Sequence, residues 1–121
     1  MNVNSGLART VPVTNREMAL RRLGGDTKLF DTLAGFFQQD APALMQQLHE
    51  AHRTGAVELV FQSAHSLKGL AATFDALPFV EIAAEIESLT RAGNLSASDG
   101  LIPSLDYEFS RLVMDLQHPA A

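Results

Sequence analysis

The chain is 121 residues long, which is room for one hydrophobic core and hardly for two. Nine Lys+Arg against fourteen Asp+Glu leave a formal charge of −5, which argues against a nucleic-acid binder needing a basic face. The absence of cysteine removes disulfides, thiolate zinc sites, Fe–S clusters and Cys nucleophiles together.

Residues 1–13 are small, polar and aperiodic, and read as a flexible lead-in or the end of a linker; they hold no apolar run of signal-peptide length. At Thr14 the pattern changes. Thr14 and Glu17 have capping-box spacing, and a short helix carrying Met18, Ala19 and Leu23 is expected to stop at Gly24-Gly25. Asp26 is placed to cap a second helix whose apolar stripe is Leu29, Phe30, Leu33, Phe36 and Phe37. Pro42 falls inside the continuing pattern of Leu44, Met45, Leu48 and Ala51, so a kink or restart is expected there, with Asp40 capping the second part. Arg53-Thr54-Gly55 ends the element.

A third helix is expected from about Ala56 to Thr73, with Val57, Val60, Ala64, Leu67, Ala71 and Phe74 forming one seam. Asp75 to Pro78 turns the chain, and a fourth helix carries Val80, Ile82, Ala83, Ile86 and Leu89 as far as Gly93-Asn94. Ser96 or Ser98 is expected to cap a fifth, with Ile102, Leu105, Phe109, Leu112 and Leu116 on one side and Pro103 near its first turn. No segment alternates long enough to be a strand, and no apolar run is long enough to span a membrane. The expected fold is all-α: an antiparallel four-helix bundle over residues 14–117, with the short first helix as a lid. The seven phenylalanines are read mostly as core.

Advancing about 100° per residue along the third helix, His65 points roughly 130° away from the seam, with Gly69 further out and Lys68 beside it. A glycine inside a helix costs about 0.5–1 kcal/mol relative to alanine. On a solvent face that cost is expected to answer close approach by another molecule.

The segment Ala64-His65-Ser66-Leu67-Lys68-Gly69 resembles the His-x-Leu-Lys-Gly signature of histidine-containing phosphotransfer (HPt) domains, the four-helix carriers of bacterial two-component phosphorelays. The resemblance extends over roughly Thr14 to Leu116. Leu23-Gly24-Gly25-Asp26 with Leu29, Leu33 and Phe36 looks like the family's opening helices, and Ile86-Glu87 with Arg91 matches its fourth-helix pattern. It implies that His65 accepts a phosphoryl group from a receiver-domain aspartate and passes it to another receiver. Lys68 would then steady the phosphoryl oxygens, Gly69 give access, Glu87 hold the other imidazole nitrogen and Arg91 add charge at the rim. No metal or cofactor is expected in this chain, since Mg²⁺ belongs to the receiver.

Two positions depart from the family pattern. Leu70 stands where a small residue is commoner, and Asp75 where a glycine usually ends the helix. An apolar docking face of Phe61, Gln62, Leu70 and Ala72 is expected to meet the receiver. No Gly-rich phosphate loop of kinase type is present, so no ATP site is expected, and the carrier is expected to be monomeric and cytoplasmic, contacting neither nucleic acid nor membrane. The lead-in favours the C-terminal module of a hybrid sensor kinase, whose parent chain would be anchored in the inner membrane, over a free-standing protein.

Blander readings stand beside these. The same bundle suits a non-catalytic adaptor that binds receiver or kinase domains with His65 silent. Glu87 also reads as an ordinary exposed acid, and Arg91 as a last-turn cation favoured by the helix dipole. His49 and His52 invite a zinc hydrolase reading, but their i, i+3 spacing and missing third ligand disfavour it. His118 is read as tail.

Overall fold

The computed structural model describes residues 12–120; of the expected lead-in, residues 1–11 lie outside them. The described residues form five α-helices and no strand: α1 (Arg16–Arg22), α2 (Thr27–Thr54), α3 (Val57–Ala72), α4 (Leu77–Arg91) and α5 (Leu101–Leu116), with a short 3₁₀ turn (Ser96–Ser98) before the last. Short connections make neighbours antiparallel. α2, α3, α4 and α5 close into a bundle, each packing on the next and α5 returning to α2.

The apolar periodicity becomes the core. Val60, Ala64, Leu67, Ala71 and Phe74 are buried along the α3 seam and share one core with Ile86 and Ala83 of α4, Leu105 and Leu112 of α5, and Leu48 of α2. Phe74 lies edge-on to both Phe30 and Phe37, with centroids 5.4 and 5.8 Å away, an arrangement the ring quadrupoles favour. Phe79 is buried as well, whereas Phe36 is 54% exposed. The α2 stripe is therefore narrower than its sequence reads, because Phe30, Ala34, Phe37 and Ala41 already fill the side facing the bundle.

Three local expectations change. Asn15, not Thr14, caps α1, its side chain accepting from the Met18 amide at 3.1 Å. The Thr14 hydroxyl instead donates to Asp115 Oδ2 at 2.8 Å, and Glu17 pairs with Arg21. α2 does not restart at Pro42: the helix is continuous, and Asp40 lies within it, capping nothing. Pro42 is exposed while Ala41, Met45 and Leu48 are buried. The missing rung thus lies where water can reach it, and core burial carries the helix through. Neither Ser96 nor Ser98 caps α5. They form the 3₁₀ turn, and α5 starts after Gly100 without a side-chain cap. Asp26 does cap α2, accepting from the Leu29 amide at 3.0 Å.

α1 lies across one end of the bundle. The Asn15 amide reaches the carbonyls of Phe74 and Asp75 at 3.2 Å. Arg22 donates to Asp75 Oδ2 at 2.8 Å and to the Ala72 carbonyl at 3.1 Å. Asp75 takes the left-handed conformation (φ 49°) at the α3–α4 turn, which Asp tolerates better than most side chains.

Replacing Pro42 by alanine restores a helix hydrogen bond at an exposed site. Pro42→Ala is expected to raise the unfolding free energy by about 2 kcal/mol, after allowing for the proline's restriction of the unfolded chain. Urea denaturation measures this, and a lower midpoint would mean that the proline supports α2 instead of interrupting its hydrogen bonding.

Candidate functional site

With Ala64 and Leu67 turned into the core, α3 presents His65 outward, its side chain 62% exposed. The opposing helix supplies what holds the ring. Ile86 is buried in the core, and its neighbour Glu87 is only 4% exposed, wedged between α4 and α3. Its two oxygens serve different partners. Oε2 lies 2.6 Å from His65 Nδ1, and Oε1 lies 2.5 Å from Lys68 Nζ. Arg91, one turn along α4, brings Nη2 to 3.6 Å from Oε2. The sequence alone left Glu87 open as an exposed acid; it is instead a buried one, met from three sides.

The contact sets the tautomer. An ionised carboxylate only accepts hydrogen bonds, so Nδ1 carries the proton and donates, leaving the lone pair on Nε2. Nε2 has no hydrogen-bond partner among the described residues. The imidazole is thus a nucleophile with its free nitrogen on the outer side of the ring. Burial by itself raises the Glu87 carboxyl pKa, but the hydrogen bonds from Lys68 and His65, with their charges, outweigh that and hold it below its ordinary value.

Gly69 is exposed and helical, and a Cβ built on it would meet nothing within 4 Å. Among the described residues nothing requires glycine there. The ring of Phe61 stacks near His65, and Arg91 lies over Phe61 with Cζ 5.3 Å from the ring centroid. Of the expected docking residues, Gln62 and Ala72 are exposed and Phe61 is half-buried. Leu70 lies apart from them. It faces α2, half-buried, lining a groove of about 220 Å³ with Leu33, Phe36, Phe37, Thr73 and Phe74. Five residues beyond His65, it stands about 140° round the helix from it. Sequence reading placed the Phe36 end of this groove in the core; the strict spacing of the α2 core positions is the signal that could have freed it.

His49 and His52 each turn to a carboxylate on the chain leading into or through α5, at 2.6 Å from Asp106 and 2.8 Å from Asp99. Among the described residues no group of three or more His, Cys, Asp or Glu side chains is placed to hold a metal ion. No helix among them is long and apolar enough to cross a membrane.

An outward imidazole held by a buried carboxylate on a four-helix bundle is an arrangement able to carry a group on its free ring nitrogen. The model of the Hpt domain family matches residues 32–115, and the chain belongs to that family. It is a phosphotransfer carrier of a phosphorelay, in a family whose members relay phosphoryl groups to and from receiver domains and are not ATP-using kinases. Its fold is similar to that of histidine-containing phosphotransfer protein B from Pseudomonas aeruginosa PAO1, with a TM-score of 0.80 and 21% identity, covering 89% of this chain and 94% of that one. No curated protein sequence matches the chain.

Two measurements check the site's physics. Gly69→Ala is expected to stabilise the isolated protein by about 0.5–1 kcal/mol in denaturant unfolding; destabilisation would mean that the glycine serves internal packing. For Glu87, a carboxyl lowered in the folded state contributes stability that is complete above its ordinary value of 4.5 and is lost as acid titrates the folded form. Glu87→Gln is therefore expected to flatten the fall in thermal midpoint on acidification below that value. Parallel profiles for the two proteins would refute the buried ion cluster.

Proposed function

We propose that Nε2 of His65 is the atom that carries the phosphoryl group. The observation behind this is the 2.6 Å contact between Nδ1 and the buried Glu87 carboxylate, which leaves Nε2 as the nucleophilic lone pair. The Nε2–P bond forms as the acyl-phosphate O–P bond of the receiver aspartate breaks, its electron pair staying on the aspartate oxygen. Because Nδ1 keeps its proton, the loaded ring is cationic, and the Glu87 carboxylate faces that charge. In the onward step the carboxylate of a second receiver attacks phosphorus, and the N–P pair returns to Nε2.

The cations belong to the same step. Lys68 gives one N–H to Glu87 and has two more for phosphoryl oxygens. Arg91 stands at the rim as a second positive group. Transfer then rests on positioning and charge neutralisation rather than on covalent chemistry by other residues. The chain needs no metal of its own in this reading, Mg²⁺ being held by the receiver. A silent-histidine adaptor would have no use for a carboxylate buried against Nδ1.

Residues 14–117 form the carrier domain, which acts as a monomer in the cytoplasm. Gly69 leaves the approach to His65 open, and Gln62 and Ala72 form part of the face that the receiver covers.

The assignment is tested by incubating the protein with a phosphorylated receiver and following acid-labile label. Label is expected on the wild type and absent from His65→Gln. Lys68→Ala is expected to accept label about tenfold more slowly. Label that persists in His65→Gln would overturn the site, and no transfer from any receiver would favour the adaptor.

A further inference from the structure

Phe61 lies one turn before His65 on α3, with its ring plane within 13° of the imidazole and the centroids 6.0 Å apart. Helical side chains lean toward the N-terminus of their helix, so the imidazole leans over the turn that carries this ring. One turn on the other way stands Gly69, where even a methyl group would meet nothing within 4 Å. The imidazole is walled on one side and open on the other. The Phe61 ring also carries the Arg91 guanidinium, 5.3 Å from its centroid. Both residues line a pocket of about 310 Å³ beside the histidine, with Val57, Glu58 and Thr90.

We propose that Phe61 is a positioning residue for phosphoryl transfer, holding the imidazole in one plane and seating Arg91 at the rim, rather than a residue whose role is to bind the receiver. The proposal rests on the reading of His65 as phospho-acceptor. The ring turns about two side-chain bonds, and the Glu87 contact at Nδ1 restrains that motion only as stiffly as one hydrogen bond does. The Nε2 lone pair lies in the ring plane, so its direction is set only when the plane is set as well. A flat neighbour supplies that second constraint, and offset-parallel stacking is a favoured aromatic geometry. In-line displacement depends on this direction, since misplacement by an ångström is enough to cost about two orders of magnitude in rate. The same ring holds the guanidinium by cation–π attraction, so ring plane and rim charge depend on one side chain.

The two roles separate kinetically. Single-turnover transfer from a phosphorylated receiver, measured on the full chain over a range of receiver concentrations, yields a limiting rate and a half-saturating concentration. Phe61→Leu is expected to lower the limiting rate about tenfold with the half-saturating concentration unchanged. Phe61→Tyr, which keeps the ring, is expected to restore the rate. In the unloaded protein, imidazole nitrogen NMR shifts are expected to keep the Nδ1–H form in both variants, because Glu87 sets the tautomer; loss of that form in Phe61→Leu would place the effect on the Glu87 contact and overturn the proposal. A raised half-saturating concentration at an unchanged limiting rate would make Phe61 a docking residue and overturn the proposal. So would a leucine variant that transfers at the wild-type rate. If leucine reduces helix content, the tyrosine variant still decides: wild-type rate and tautomer support the proposal, and a lost rate in a folded protein overturns it. Label surviving in His65→Gln would defeat the phospho-acceptor reading itself, whereas His65-dependent label with an indifferent Phe61 would defeat only this one.

Discussion

The Glu87 carboxylate sits between two packed helices, where an unpaired charge would be costly. It persists because His65 and Lys68 on α3 each satisfy one of its oxygens while Arg91 stands close on α4. The dependence runs both ways. Burial of Ile86 and Leu67 sets the rotation of the two helices, that rotation brings the carboxylate under the imidazole, and the carboxylate chooses which nitrogen is the nucleophile. Core packing, ion pairing and reactivity are successive consequences of one helix–helix contact.

Among the described residues, the side chains of the candidate site all stand on helices. Such mounting suits a carrier, whose residues must already be in place when a partner arrives. It also limits what the site can do. One imidazole face is lined by Phe61, the deep nitrogen belongs to Glu87, and the remaining solid angle opens beside Gly69. The geometry offers one free nitrogen and a cluster of charge beside that opening.

Much of this was legible in the amino-acid order, and the exceptions share a cause. Helical periodicity revealed the α3 seam and the outward His65 because both are properties of a single helix. Thr14 misled because its hydroxyl is claimed by Asp115, 101 positions away, a competitor no local motif announces. Pro42 misled because the core on its far side outweighs one lost rung. Glu87 could be placed on its helix but not buried, since its depth depends on how α4 is rotated against α3. Spacing puts Phe36 in the core, and its place after the family motif puts Leu70 on the docking face. They meet across the α2–α3 groove, a feature belonging to neither helix by itself.

The clasp of α1 on the α3–α4 turn has a mechanical consequence. α3 and α4 form a hairpin of rigid rods pivoting near Asp75, and His65 lies about 15 Å along one arm. At that radius a splay of roughly 4° displaces an arm by about 1 Å, more than the contact between Nδ1 and Oε2 can absorb. Asn15 and Arg22 pin the pivot through the carbonyls of Phe74, Asp75 and Ala72. A helix that lends no side chain to the reacting nitrogen thereby acts as the hinge pin that keeps the two jaws in register.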